Sequence, residues 1–378
     1  MSLTVLQIIP ALGTGGAEQA CVDIAAALVV RGDRALVVSS GGHRVSALEK
    51  IGATHIKAKV QTKNPAKIIA HAFWLADIIR REKVSLVHAR SRAPAWSAKI
   101  ACAMTGCPFV TTFHAAYNFS CRIKKSYNRV MAAADGVIAI SDFIGRHVRD
   151  NYSVPESRVH VINRGIDLSL FDPAQVAAAE KEKLRRVWGI EKEDRVVILP
   201  ARLSKIKGQK ILIEAMAKMK AQGKDLPLAL IIGDNQGRKA YSQELEQMAL
   251  CEGLSERIRF IGRCTDMPAA YSVADLVLAP SIVPEGFGRT PVEAMAMGVP
   301  VIASNLGAML DTIIEGKTGW LLSPDNVEAW AEKIQEALAM DEAVRRDMAK
   351  VSRERVEAQF DLKKMIEKTL TFYNKLAR

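Results

Sequence analysis

Four short segments hold most of the residues that could do chemistry. Leu12-Gly-Thr-Gly-Gly-Ala-Glu-Gln19 sets Gly13, Gly15 and Gly16 ahead of a helical stretch. Bare backbone and free helix-start N–H groups there favour an anion. The dinucleotide fingerprint G-x-G-x-x-G would need glycine at 18, where Glu18 stands, and no acidic residue closes the next strand, which runs into Gly41-Gly42-His43. The segment therefore reads as an anion-approaching turn or simply as a tight strand-to-helix turn. Thr111-Thr-Phe-His-Ala-Ala-Tyr-Asn118 ends a strand, which aims His114 at a cleft, although a single histidine can equally be structural. Arg122, Lys124, Lys125 and Arg129 with Tyr127 follow directly as a basic patch bearing an aromatic. That patch is either a solvated face or a contact for an acceptor or a membrane.

The third segment, Pro200-Ala-Arg-Leu-Ser-Lys-Ile-Lys-Gly-Gln209, clusters Arg202, Lys205 and Lys207 around a glycine just ahead of a helix. Fixed cations at a helix N-terminus suit a diphosphate, and the P-loop pattern is absent. The fourth, Pro284-Glu-Gly-Phe-Gly-Arg-Thr-Pro-Val-Glu293, spaces Glu285 and Glu293 eight apart, with a helix expected near Thr290. Free amides at Phe287, Gly288 and Arg289 could bind hydroxyls or phosphate oxygens, and a facing carboxylate could grip a ribose diol. The same carboxylates could also be ordinary helix-start charges.

These loops need a scaffold that brings strand ends together. Strand-like runs fall at 3–10, 35–40, 84–88, 109–113, 137–140 and 159–162, with helical stretches at 17–30, 65–81 and 94–104 between them. After a turn-rich linker at 168–173 and a charged helix at 175–187, strands restart at 195–200, 228–232, 259–261, 276–278, 299–303 and 319–322. Alternation of strand and helix predicts parallel sheets covered on both faces. Three helices should close the chain at 326–340, 342–359 and 362–376. In the last, Leu362, Met365, Ile366, Thr369, Leu370 and Tyr373 repeat at three to four residues and should pack one face onto a neighbour.

Composition agrees with this scaffold. The 378 residues exceed what one core usually serves, and 49% apolar with 25% charged residues excludes a disordered chain. Net charge is +12, unevenly placed: residues 1–170 carry 22 Lys and Arg against 11 Asp and Glu, the remainder 31 against 30. All seven histidines also lie in the first part. A basic half should meet something anionic. The six cysteines contain no C-x-x-C and read as small buried residues in a reducing compartment. Residues 1–10 lack a secretory pattern, so a cytoplasmic protein is expected, free or on a membrane face.

Together and in this order, the motifs resemble glycosyltransferase family 4, retaining enzymes of the GT-B fold. The resemblance is carried by Gly15-Gly16-Ala17-Glu18, Thr112-Phe113-His114, Ala139-Ile140-Ser141 and Val161-Ile-Asn-Arg-Gly-Ile-Asp167 with Phe171 and Pro173. It extends through Arg202 with Lys207-Gly208, and through Glu285 to Glu293 running into Gly298-Val-Pro-Val-Ile302. It implies an α/β fold of two Rossmann-like doubly wound domains facing across a cleft. Residues 1–168, joined by a crossover helix at about 360–378, would bind the acceptor, and 169–359 the nucleotide-sugar donor.

The same resemblance implies roles. Arg202 and Lys207 would hold the donor diphosphate, Glu293 the ribose, and Glu285 with the Phe287 and Gly288 amides the donor sugar. Arg289 and Thr290 would line the same site. His114 would sit near the reaction centre, Gly15 and Gly16 beside the phosphate or acceptor, and Gly262 with Arg263 beside the base. The basic patch would serve acceptor or membrane. No metal and no cofactor are implied, in keeping with the absence of any Asp-x-Asp, and no enzyme nucleophile is assigned. Where the family often has an acidic residue followed by Gly-Gly after the strand near Ser304, this chain has Asn305, Leu306, Gly307 and Ala308, which bears on donor choice. The expected partners are a nucleotide-sugar, a glycan or lipid-linked acceptor of lipopolysaccharide type and an anionic membrane surface, and not nucleic acid. The competing readings are a GT-B epimerase or phosphorylase and a non-catalytic glycan-binding relative.

Overall fold

The computed structural model describes residues 2–13, 15–117 and 121–377, so Thr14 and Asn118 of the motif loops lie outside the described residues. The chain divides into two compact units, one of residues 1–164 with 363–378 and one of 165–362.

The first unit is a seven-stranded parallel sheet with helices between the strands. In chain order it runs β1 Thr4–Ile8, α1 Gly16–Val30, β2 Arg34–Ser39, α2 Val45–Lys50, β3 Thr54–Lys57, α3 Pro65–Arg81 and β4 Leu86–Ala89. It continues α4 Arg92–Thr105, β5 Phe109–Phe113, α5 Arg122–Asn128, β6 Gly136–Ala139, α6 Asp142–Tyr152 and β7 Val159–Val161. The strand order is β3-β2-β1-β4-β5-β6-β7. Every residue of β1, β4, β5 and β6 is buried, which explains why they read as continuous apolar runs without alternation. Local chemistry starts the helices: Asn64 accepts from the Lys67 N–H ahead of Pro65, and Ser141 accepts from Ile144.

The second unit repeats the design. It contains α7 Ala178–Val187, β8 Val196–Pro200, α8 Gln209–Ala221, β9 Leu228–Ile232, α9 Lys239–Cys251, β10 Ile258–Gly262, α10 Met267–Ser272 and β11 Leu276–Ala279. Then follow α11 Arg289–Ala296, β12 Val301–Ser304, α12 Met309–Thr312, β13 Trp320–Leu322, α13 Val327–Leu338 and α14 Glu342–Gln359. Its six parallel strands are ordered β10-β9-β8-β11-β12-β13. Trp330 is fully buried in its core and donates Nε1–H to the Ser323 carbonyl at 2.9 Å.

The last helix, α15 Leu362–Leu376, packs within the first unit from residue 363 onward. Met365, Thr369, Leu370, Phe372 and Tyr373 form its buried face. Gly136 has no room for a side chain, since a Cβ there would lie 2.3 Å from Phe372. Counted with this helix, the first unit carries 27 Lys and Arg against 11 Asp and Glu, net +16, and the second 26 against 30, net −4.

Three expectations are corrected. The cysteines are not uniformly buried: Cys21, Cys102 and Cys107 are, but Cys121 and Cys251 are exposed. The short strand β3 is missing from the periodicity because its residues are half or fully exposed at a sheet edge. The charged helix α7 begins at Ala178, because Pro173–Gln175 forms a separate 3-10 turn capped by Asp172.

Candidate active site

Both sheets reverse their strand order between the first strand and its fourth-strand neighbour, at β1/β4 and at β8/β11. In open α/β sheets, ligands bind beyond the carboxyl ends of the strands at such points. The four candidate segments leave those ends.

In the second unit, the loop after β8 carries Arg202 and Lys207 and delivers the chain into α8 through Gly208. Gly208 has φ +69°, and a Cβ there would lie 1.8 Å from the Pro280 carbonyl oxygen. Glycine is therefore what lets the α8 start approach the loop after β11. That loop brings Glu285 to Lys207: Lys207 Nζ donates to Glu285 Oε1 at 2.8 Å. Ser281 donates to the same carboxylate oxygen. Ser281, Lys207, Glu285, Gly288 and Thr290 line one small pocket. Thr290 Oγ1 donates to the Pro200 carbonyl at 2.9 Å, tying the α11 start to the end of β8. The N–H groups of Phe287, Gly288 and Arg289 have no backbone acceptor among the described residues. A lysine, a carboxylate and two helix starts thus meet at one point, an arrangement suited to an anionic group bearing hydroxyls.

Glu293 is one turn into α11 and only 7% exposed. It accepts from Tyr271 Oη at 2.9 Å and from Arg289 Nε and Nη2 at 3.0 and 2.7 Å. Burial raises its carboxyl pKa, and Arg289 opposes that rise. Tyr271 was not foreseen, since it stands in a short helix with no motif around it. The other expected donor residues are spread more widely. Arg202 is exposed, with its carbonyl accepting from Gln209 at 3.0 Å. The Phe287 side chain turns into the fold against Phe360, with ring centroids 5.8 Å apart. Gly262 ends β10, and Arg263 just beyond it is exposed.

In the first unit, a second pocket is lined by His88 and Arg90 from the end of β4, Thr112 from β5, His114 just beyond it and Arg164 from beyond β7. His88 Nδ1 pairs with Tyr373 Oη at 2.5 Å and its Nε2 with Thr112 Oγ1 at 2.7 Å. Arg90 Nε donates to Gln7 at 2.7 Å. Gly16 starts α1, and Arg164 donates to its carbonyl; a Cβ on Gly16 would lie 2.7 Å from that guanidinium. Gly15 is the α1 cap. Burial, then Arg164 and Arg90, hold the His114 pKa well below the usual histidine range. Sequence reasoning placed His114 and Gly16 but missed His88 and Arg90. The available signal was a polar residue inside a buried strand with an arginine directly at its end.

The basic patch lies on α5 and just after it. Arg122, Lys124 and Arg129 are exposed and Lys125 and Tyr127 half-buried, with the Tyr127 ring 6.1 Å from that of Trp96.

Residues 14–170 match the family model Glycosyltransferase Family 4, and residues 180–355 match Glycosyl transferases group 1. The chain belongs to the glycosyltransferases of the GT-B fold. This glycosyltransferase is 33% identical to a glycosyltransferase from Rickettsia africae ESF-5, with 100% of this chain and 99% of that one aligned at a TM-score of 0.93. The Anabaena protein Alr3699/HepE, solved with UDP, is 26% identical over 99% of this chain and 100% of that one, at a TM-score of 0.87. The same protein has also been solved with UDP-glucose. A D-inositol 3-phosphate glycosyltransferase from Corynebacterium glutamicum is 34% identical over 195 residues, 51% of this chain and 46% of that one. The glycosyltransferase thus spans about half the length of that relative. No helix among the described residues is long and apolar enough to cross a membrane.

Proposed function

We propose that this glycosyltransferase moves a sugar from a nucleoside-diphosphate sugar, with retention at the anomeric carbon and without a metal, to an anionic glycan or glycolipid acceptor. The Lys207–Glu285 pair at the meeting point of the α8 and α11 starts carries this reading. Transfer breaks the bond between the anomeric carbon and the β-phosphate oxygen, so negative charge grows on the leaving diphosphate. Lys207 and Arg202 are the cations for that charge. Losing one such preorganised group typically costs ~3–4 kcal/mol of transition-state stabilisation. Glu285 and the amides of Phe287 and Gly288 hold sugar hydroxyls, and Glu293 holds the ribose. Gly262 and Arg263 meet the base. His114 serves the transfer step, and Gly15 and Gly16 give close backbone approach.

The UDP and UDP-glucose complexes of the Anabaena relative support a nucleotide-sugar donor. The net charge of +16 on the first unit supports an acceptor of lipopolysaccharide or other cell-surface type, reached on the cytoplasmic face of a membrane. Calorimetric titration with UDP, GDP and ADP tests the donor assignment. At least one should bind wild type and lose affinity in Arg202→Ala. Binding of none, or equal binding in both proteins, rejects it.

A further inference from the structure

The pocket at the carboxyl ends of β4, β5 and β7 holds buried polar atoms of Arg90 and His114 that no neighbouring residue meets. Arg90 is only 5% exposed, yet its buried Nη2 has no hydrogen-bond partner. No carboxylate among the described residues lies within ion-pair distance of it, although Asp23, bound to Gln19, is in longer electrostatic range. Both ring nitrogens of His114 are likewise buried and unpartnered. Arg164 lines the same space, and no acidic side chain does. A buried donor left without an acceptor is costly, so such a group calls for a ligand.

The cavity measures about 20 Å³. That admits one oxygen-sized group and no more. Its polar wall is a guanidinium fork with a free donor, a second guanidinium and a neutral imidazole able to donate one hydrogen bond. The rest of the lining is His88, Thr112 and Thr369 with apolar side chains such as Ile138, Ile140 and Ile162, and it holds no carboxylate to repel an anion.

We infer that this pocket is an anion subsite: it takes one oxygen of a phosphoryl group between Arg90, Arg164 and His114, and that group belongs to the acceptor. This rests on the glycosyltransferase reading of the Lys207–Glu285 pocket, which supplies separate cations for the donor. It narrows the acceptor from anionic to phosphorylated. The other source of the same chemistry is the donor's own diphosphate.

Thermal unfolding of the full chain, with inorganic phosphate or with UDP as probe, separates the two sources. Phosphate should raise Tm in Lys207→Ala, where the donor cation is gone, but not in the Lys207→Ala/Arg90→Gln double variant. UDP should raise Tm in Arg90→Gln as in wild type. A phosphate response in the double variant equal to that of Lys207→Ala overturns the subsite. Loss of the UDP response in Arg90→Gln gives the anion to the donor and overturns the acceptor assignment. Failure of UDP to act on wild type would strike the donor reading alone, since the Arg90 comparison uses phosphate. Should Arg90→Gln fail to fold, Arg90→Lys keeps the charge but loses the fork, and in the Lys207→Ala background its phosphate Kd should weaken at least tenfold, with UDP affinity intact where Lys207 is kept; unchanged phosphate affinity there also overturns the subsite.

Discussion

Lys207 Nζ lies 2.8 Å from Glu285 Oε1, a contact closed across 78 residues of sequence. Each side chain is 23% exposed, so the pair adds little to stability. Its consequence is electrostatic. On the proposed reading, a diphosphate that reaches Lys207 would compete with Glu285 for the ammonium, so donor entry would weaken one charge pair as it forms another and free the carboxylate for a sugar hydroxyl.

Glu293 is held by Tyr271 and Arg289 at 7% exposure. Glu293→Ala should lower stability by about 1–3 kcal/mol, because it strands a buried tyrosine hydroxyl. Glu293→Gln keeps the shape and should unfold close to wild type while weakening nucleoside-diphosphate binding roughly 10–100-fold. Denaturation and calorimetry on the two variants separate the structural share from the binding share.

Gly208→Ala forces a Cβ against the Pro280 carbonyl at φ +69°. A loss of about 2–4 kcal/mol in unfolding free energy is expected. Surviving folded protein should bind nucleotide poorly, because the α8 start can no longer approach the loop after β11. Urea unfolding followed by circular dichroism reads the first effect.

Burial first, and then Arg90 at His88 and Arg164 at His114, hold both imidazoles well below their ordinary value of 6.5. As pH falls below that value the unfolded chain takes up protons that the folded chain refuses. Stability is therefore full above it and declines as pH falls from 6.5 toward the folded-state values. Unfolding free energy measured from pH 8 to pH 5 should fall on the acid side, and His88→Gln with His114→Gln should flatten that fall. An identical slope in the double variant would contradict the assignment.

The charge on the first unit predicts salt-sensitive attachment to anionic vesicles. Flotation with phosphatidylglycerol liposomes should recover the protein at low salt and release it as ionic strength rises. Replacing Arg122, Lys124 and Arg129 with glutamine should reduce recovery. Absence from the liposome fraction at low salt would remove the membrane from the account.

The fold was legible because its inner strands are buried on both faces and its helices are amphipathic, so the period changes at each boundary. The two segments that meet at the Lys207–Glu285 pair were legible because their residues are neighbours in sequence: Gly208 starts α8 directly after Lys207, and Glu285 to Glu293 spans one loop and one helical turn. The arginine pocket was not. Arg90 reads as any exposed residue after a strand, and it becomes buried only through distant packing. The Tyr373 hydroxyl that meets its neighbour His88 comes from 285 residues away. Tyr271 was hidden for the same reason, since its bond to Glu293 links α10 to α11 with β11 between them.

Release of nucleoside diphosphate from a panel of nucleotide-sugars by the purified full chain, wild type beside Lys207→Ala, tests the central claim most directly. Wild type should turn over at least one donor, and Lys207→Ala should fold normally and lose roughly 10²–10³ in kcat. Equal rates in the two proteins, or no release from any donor across the panel, would contradict the account.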